Sequence, residues 1–198
     1  MGNSAFAAGL LCLGVSVAQA QGVVVGQKLP DVEIADRGVL VPTTRVQDGR
    51  MVLAGPEIGH RPWHPRDLAG RVWTLYHLAA RVGVDDINKA YIDALVAAHL
   101  PETAPDGAYK TVTVLNLDDA FMGLAGVGRG RLEKSQREVP YAIHVDDAHG
   151  AGRRAWGLQP GQSAVLVVDR DGTVLFRKEG RLSPEEIRAA VAIIRARL

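Results

Sequence analysis

His77 and Arg81 carry the most suggestive chemistry in the sequence. A histidine titrates near neutral pH, and a guanidinium four residues on could bind an anion or carboxylate, helped by the unpaired N–H groups of a helix that starts just after them. The plain alternative is a core histidine bonded to backbone, with Arg81 salt-bridged to Asp85 or Asp118. Asp118 and Asp119 are adjacent carboxylates. With His77 they could hold a divalent metal, share a proton, or support acid–base catalysis; more simply, an Asp at a strand end caps the next turn. The glycine-rich run GLAGVGRGR does not spell G-x-G-x-x-G, because Arg131 occupies the third glycine position, and it lacks a G-K-[ST] ending. It reads as a flexible loop from which Arg129 and Arg131 could close over an anion. His60 and His64 stand four apart, but Pro62 and Pro65 argue against a shared helical face, so both read as loop residues. The candidate binding residues are therefore His77, Arg81, Asn116, Asp118, Arg129 and Ser163. The candidate catalytic ones are His77, Asp118 and Asp119, and neither a resident metal nor a cofactor is expected.

The elements that position these groups begin at Arg66 to Leu100. A near-continuous apolar strand from Val72 to Ala79 leads through a short loop into a helix with Ile87, Tyr91, Ala94, Leu95 and Ala98 at helical spacing. This is the strand–loop–helix opening of a thioredoxin-type unit, and it puts His77 near the C-terminal end of a central strand, where α/β folds place ligand sites. A redox-active unit would carry C-x-x-C in the loop. Those positions hold Val82 and Asp85, and neither can replace the thiolate nucleophile, so dithiol exchange is excluded. The position of the redox-type cis-proline holds Ser163. A cis bond before a residue other than proline costs about 3 to 4 kcal/mol, so a trans Gln162–Ser163 peptide is predicted.

Upstream, Val32 and Ile34 alternate into a turn at Asp36-Arg37-Gly38 with a return over Val39 to Val41, a short hairpin extension. Residues 42–65 hold four prolines and little periodicity and read as an insertion or long loop. Downstream, Tyr109 to Leu117 is a β-branched strand, Leu132 to Arg137 part of a helix, Ala142 to Val145 a short strand and Arg153 to Leu158 a helical turn. Two strands, Ser163 to Asp169 and Thr173 to Lys178, flank a tight turn, and a capped helix starts at Ser183-Pro184-Glu185-Glu186. The order predicts an α/β, thioredoxin-like fold, a central mixed sheet flanked by helices with an N-terminal hairpin extension, in a single domain over 21–198.

Composition supports one globular domain: 47% hydrophobic and 23% charged residues with a net charge of +1, which offers no electrostatic case for bulk nucleic-acid binding. The first twenty residues are uncharged and end in Ala18-Gln19-Ala20, the small-residue pattern of a secretory signal cleaved after Ala20. The apolar run is shorter than the roughly 18 to 20 residues that span a bilayer, so no membrane span is expected in the mature chain. The one cysteine, Cys12, lies inside that leader. The expected location is the periplasm.

Taken in order, GQKLPDVEIADRG, LAGRVWTLYHLAAR, VLNLDDA, RGRLEKS, AWGL, SAVLVVDRDG and LSPEEI resemble the YtfJ family across essentially the whole mature chain. The resemblance implies a periplasmic thioredoxin-like protein of Gram-negative bacteria without C-x-x-C and without an established activity. Positions typical of the family are matched by His77, Arg81, Asn116, Asp118 and Asp119. The leading expectation is a non-redox module that binds a small anion, a peptide or a periplasmic protein. The alternative is a cysteine-independent enzyme working through His77 with Asp118 or Asp119.

Overall fold

A computed structural model of the chain describes residues 22–198 apart from Val82, Asp85, 101–106 and Met122. Its central strand, β3 (Val72–Ala79), is buried along its whole length. Trp73 and Leu75 face one apolar cluster, while Val72, Tyr76 and Leu78 face another. A strand with two covered faces belongs inside a sheet. It lies between β4 (Tyr109–Asn116), which runs parallel to it, and β6 (Ala164–Val168), which runs antiparallel. With β1 (Ile34–Gln47), β2 (Arg50–Trp63), β5 (Ile143–Asp147) and β7 (Val174–Glu179), the seven-stranded order is β2-β1-β5-β4-β3-β6-β7. This is the mixed α/β sheet that the sequence predicts. Because β3, β4 and β5 are parallel, their C-terminal ends share one edge, where Ala79, Asn116 and Asp147 stand side by side.

Among the described residues, four α-helices cover the sheet: α1 (Lys89–Ala97), α2 (Ala125–Glu138), the short α3 (Ala151–Ala155) and α4 (Pro184–Arg195). On one face α3 brings Trp156 into a cluster with Trp63, Trp73 and Leu166. On the other, Tyr91 and Leu95 of α1 meet Ala190 and Ile194 of α4. The predicted cap of α4 is present: Glu186 N donates to Ser183 Oγ at 3.2 Å, and Ser183 N donates to the Glu186 carboxylate at 2.7 Å.

Three expectations are corrected. The turn expected at Asp36-Arg37-Gly38 is a bulge within the continuous strand β1, marked by a register shift between Ile34 and Val39. The long loop expected over 42–65 is most of a 14-residue by 14-residue hairpin, β1 with β2. Its turn is Asp48-Gly49, both at positive φ (50° and 72°), the two-residue geometry that matches the twist of paired strands. Pro56 and Pro62 are tolerated because β2 is an outer strand. Finally, the flexible loop expected around the glycine-rich run is the first half of α2. There Gly128 lets the helix approach the sheet, since a Cβ would stand 3.4 Å from the Leu115 side chain of β4 and 3.2 Å from Leu117 just beyond it.

The bulge depends on Gly38. At φ +66° a Cβ there would lie 2.1 Å from the Arg61 carbonyl oxygen. Gly38→Ala is therefore expected to destabilise the chain by about 1 to 3 kcal/mol. Differential scanning calorimetry should show a melting temperature lower by several degrees. An unchanged transition would mean that the hairpin register is not fixed at this residue.

Candidate functional site

At the shared C-terminal edge, alternation puts His77, Asn116 and Asp147 on one face, and all three are buried. Asp147 accepts from the backbone N–H groups of Ala151 and Gly152, both at 2.9 Å, fixing the start of α3; burial raises its pKa against those bonds. Asn116 organises the turn that follows β4. Its Oδ1 accepts from Asp118 N at 3.1 Å, and its Nδ2 donates to Asp119 at 2.8 Å. Asp119 also accepts from Gly161 N at 3.1 Å, joining this turn to the segment that enters β6. Asp118 pairs with Arg153 and Arg154 of α3 at 3.4 and 3.8 Å rather than with Arg81. Val82 and Asp85 lie outside the described residues.

His77 stands edge-on to Trp156, with ring centroids 6.3 Å apart at 87°. It has no exposed surface, and among the described residues neither ring nitrogen has a hydrogen-bond partner. Desolvation lowers its pKa to about 4; Asp119 and, more weakly, Glu179 oppose the shift while Arg153 adds to it. At neutral pH His77 is thus an uncharged core ring. It lacks both the expected backbone hydrogen bond and the open cleft that catalysis requires.

Arg81 is the contrasting case. It is exposed, and its guanidinium sits against Gly161, where an added Cβ would come within 2.8 Å of Cζ. Among the described residues it has no hydrogen bond and no ion pair. Ser163 and Arg129 are placed elsewhere. Ser163 Oγ is sealed and accepts from Asn88 Nδ2 at 3.1 Å, and the Gln162–Ser163 peptide is trans as predicted. Arg129 Nε donates at 3.0 Å to Asp146, a carboxylate on the opposite sheet face that also forms an ion pair with Arg37, whose Nε stands 3.0 Å away without hydrogen-bond geometry. Of the remaining predicted loop residues, His60 lies in β2 with its Nε2 3.0 Å from Arg37, and His64 precedes a single 3-10 turn. Among the described residues, no cluster of three or more His, Cys, Asp or Glu is placed to hold a metal ion.

On the sheet face opposite His77, α1 and α2 stand apart over a groove of about 710 Å³. Leu78, Leu95, Leu115 and Val127 line it, and Arg81 reaches its rim. Val96, Leu124 and Val127 leave 70%, 42% and 53% of their surfaces exposed there. The sequence reading missed this groove, although a signal was present. Ile92 and Val96 form a second apolar strip at i, i+4 on α1, beside the buried Tyr91 and Leu95. Arg153 and Arg154, which hold Asp118, were also missed, because only the fold brings α3 to the end of β4.

Comparison with known proteins agrees with this architecture. A family model described as "Bacterial protein of unknown function (YtfJ_HI0045)" matches residues 23–197. The chain is 32% identical over 169 residues to the uncharacterized protein YtfJ of Escherichia coli K12, covering 85% of this chain and 84% of that one. It is 34% identical over 155 residues to an uncharacterized protein of Haemophilus influenzae, covering 78% and 82%. Among solved structures, a protein described as the thiol:disulfide interchange protein DsbE from Chlorobium tepidum superposes with a TM-score of 0.52 at 19% identity, covering 86% of this chain and 99% of that one. One described as a protein disulfide isomerase from Bacteroides thetaiotaomicron gives 0.54 at 14%, covering 89% and 91%. At these identities the likeness is one of fold, and it is thioredoxin-like.

The buried histidines make stability depend on pH. His77 and His144 both have pKa values lowered by burial to about 4, against about 6.5 in an unfolded chain. Between those values the unfolded state binds more protons, so stability falls as the pH is lowered, by about 2 kcal/mol per histidine at pH 5. Urea denaturation of His77→Phe at pH 7 and pH 5 should show roughly half the acid loss attributable to the pair. At pH 7 the variant should be as stable as the parent or about 1 kcal/mol more so, because two unpaired polar atoms leave the core. A large loss at pH 7 would show that the ring makes a necessary polar contact.

Proposed function

The chain belongs to the YtfJ family, and we propose that it is an exported, non-redox binding module that takes a carboxylate or similar anionic group of a small molecule or peptide at Arg81. The observation that carries this reading is the state of that side chain: exposed, set against Gly161, without a counter-ion among the described residues, and on the rim of a groove. Arginine's planar donor fork suits bidentate recognition of such groups. Most other charges at this edge are already matched, Asp118 by Arg153 and Arg154, and Asp119 by Asn116 and Gly161. Export is supported by the uncharged leader ending in Ala18-Gln19-Ala20, and no helix of the described residues is long and apolar enough to cross a membrane. The single cysteine allows no internal disulfide, and its place in the leader speaks against thiol chemistry in the mature chain.

The enzymatic alternative needs His77 and Asp118 or Asp119 to converge on a substrate. His77 is sealed against Trp156, and neither aspartate hydrogen-bonds to it. Binding is therefore the better reading of the same edge.

The reading is tested by thermal shift of the mature chain from Gln21 onward against acetate, citrate, inorganic phosphate and short peptides with free C-termini. A ligand at a hundred times its dissociation constant should add about 2.7 kcal/mol of stability, a rise of several degrees. Arg81→Ala should melt at the parent's temperature without ligand and lose the shift, whereas His77→Phe should keep it. A shift that survives Arg81→Ala, or no shift with any member of the panel, would refute an anion site at Arg81.

A further inference from the structure

We infer that the groove between α1 and α2 holds a single aliphatic chain whose anionic head is paired by Arg81. The inference rests on the anion reading of Arg81 and names the rest of the ligand. The groove is open to solvent on one side and walled by Leu78, Leu95, Leu115 and Val127, with a volume of about 710 Å³. It lies within the range of small-molecule sites, roughly 300 to 1,000 Å³. The walls are mainly apolar, with Thr113 and Ser135 adding two hydroxyls. His144 faces Gln136, Nδ1 to amide oxygen at 3.0 Å, and Tyr76, Thr111 and Tyr141 have partners of their own. Beyond the walls, Val96, Leu124 and Val127 carry the apolar surface outward to solvent, on a protein that otherwise buries most of its large hydrophobic side chains.

Charge is complementary to an acid rather than to a base. Among the described residues, Arg81, Arg131 and Lys134 line the groove against one carboxylate, Glu138, and Arg131 has a partner of its own. Lys134 and Glu138 meet at 3.7 Å with both side chains largely exposed, a pair that holds neither group firmly. Arg81 alone of the three combines a place on the rim with a guanidinium left without a partner among the described residues. An apolar trough with a cation at its edge is the complement of an alkyl carboxylate: methylenes are buried along the leucines and valines while the carboxylate stays at the rim in reach of Arg81.

The test is a chain-length series on the mature chain from Gln21 onward: acetate, hexanoate, decanoate and tetradecanoate, each below its micelle concentration, with the matching alkyl alcohols. Affinity should rise by up to about fourfold per methylene and then level off once the groove is filled. Val127→Glu, at an exposed wall position, should fold with an unchanged urea midpoint, keep acetate binding and lose the dependence on length. Arg81→Ala should weaken every carboxylate while leaving the alcohols unchanged. Acetate binding with a flat length series, or a Val127→Glu variant that keeps the length dependence, would overturn the chain in the groove and leave the Arg81 anion site standing. Alcohols that bind as tightly as the acids would overturn the pairing with Arg81 itself. An apolar helical peptide that binds where no alkyl carboxylate does would overturn the inference in favour of a protein partner.

Discussion

Burial of β3 on both faces is the condition on which the rest of the fold depends. Each of its eight residues is covered, so every polar atom there must find its partner inside the protein or go without one. Thr74 shows the first solution, its hydroxyl within 2.8 Å of both the Tyr91 and Tyr109 hydroxyls, one from α1 and one from β4. That triad fastens helix to strand in the middle of an apolar layer. His77, three residues on, shows the second: a ring held by shape against Trp156, with its nitrogens unpaired and its protonation suppressed. The same covering of the strand thus produces a rigid centre and a histidine unsuited to chemistry. Beyond the strand, at Arg81, a charged side chain reaches water.

How much of this was legible varied with the physical basis of each signal. The apolar run of β3, the β-branched β4, the tight turn at Asp169 to Gly172 and the capping box of α4 are local patterns, and each appears where the sequence places it. The prolines of the hairpin suggest interruption and outweigh the local signal of Asp48-Gly49, although the outer strand β2 tolerates Pro56 and Pro62. The site was only partly legible. Sequence order brought Asn116, Asp118 and Asp119 to one edge, but the side of the sheet a residue faces and what stands opposite depend on long-range packing. His77 therefore looked reactive and proved sealed. The groove escaped notice because it is made by the separation of two helices, a quantity no local pattern encodes.

Arg129 shows how a suggestive residue is absorbed by architecture. Asp146 is nearly inaccessible on β5, and it is flanked by Arg37 from the hairpin and Arg129 from α2, each 3.0 Å away. Removing either cation would weaken the compensation of a buried carboxylate, and breaking such a contact is costly even where its net contribution is small. One carboxylate thereby ties the N-terminal hairpin, the edge of the parallel strands and the glycine-rich helix together. That contact is structural, and it accounts for Arg129 without a bound anion.

The glycines of α2 have a dynamic consequence. Gly126, Gly128 and Gly130 fall in its first half, and each weakens a helix interior by about 1 kcal/mol relative to alanine. Only Gly128 is accounted for by close approach to the sheet; nothing stands within 4 Å of a Cβ added at Gly126 or Gly130. The N-terminal turns of α2 therefore belong to the low-stability end of the molecule and open locally at a free-energy cost well below that of global unfolding. Their backbone amides would exchange with solvent long before those of β3. Leu124 and Val127, on the exposed wall beside Arg81, ride on these turns. The groove accordingly has a firm floor, the sheet, and a compliant wall where α2 begins.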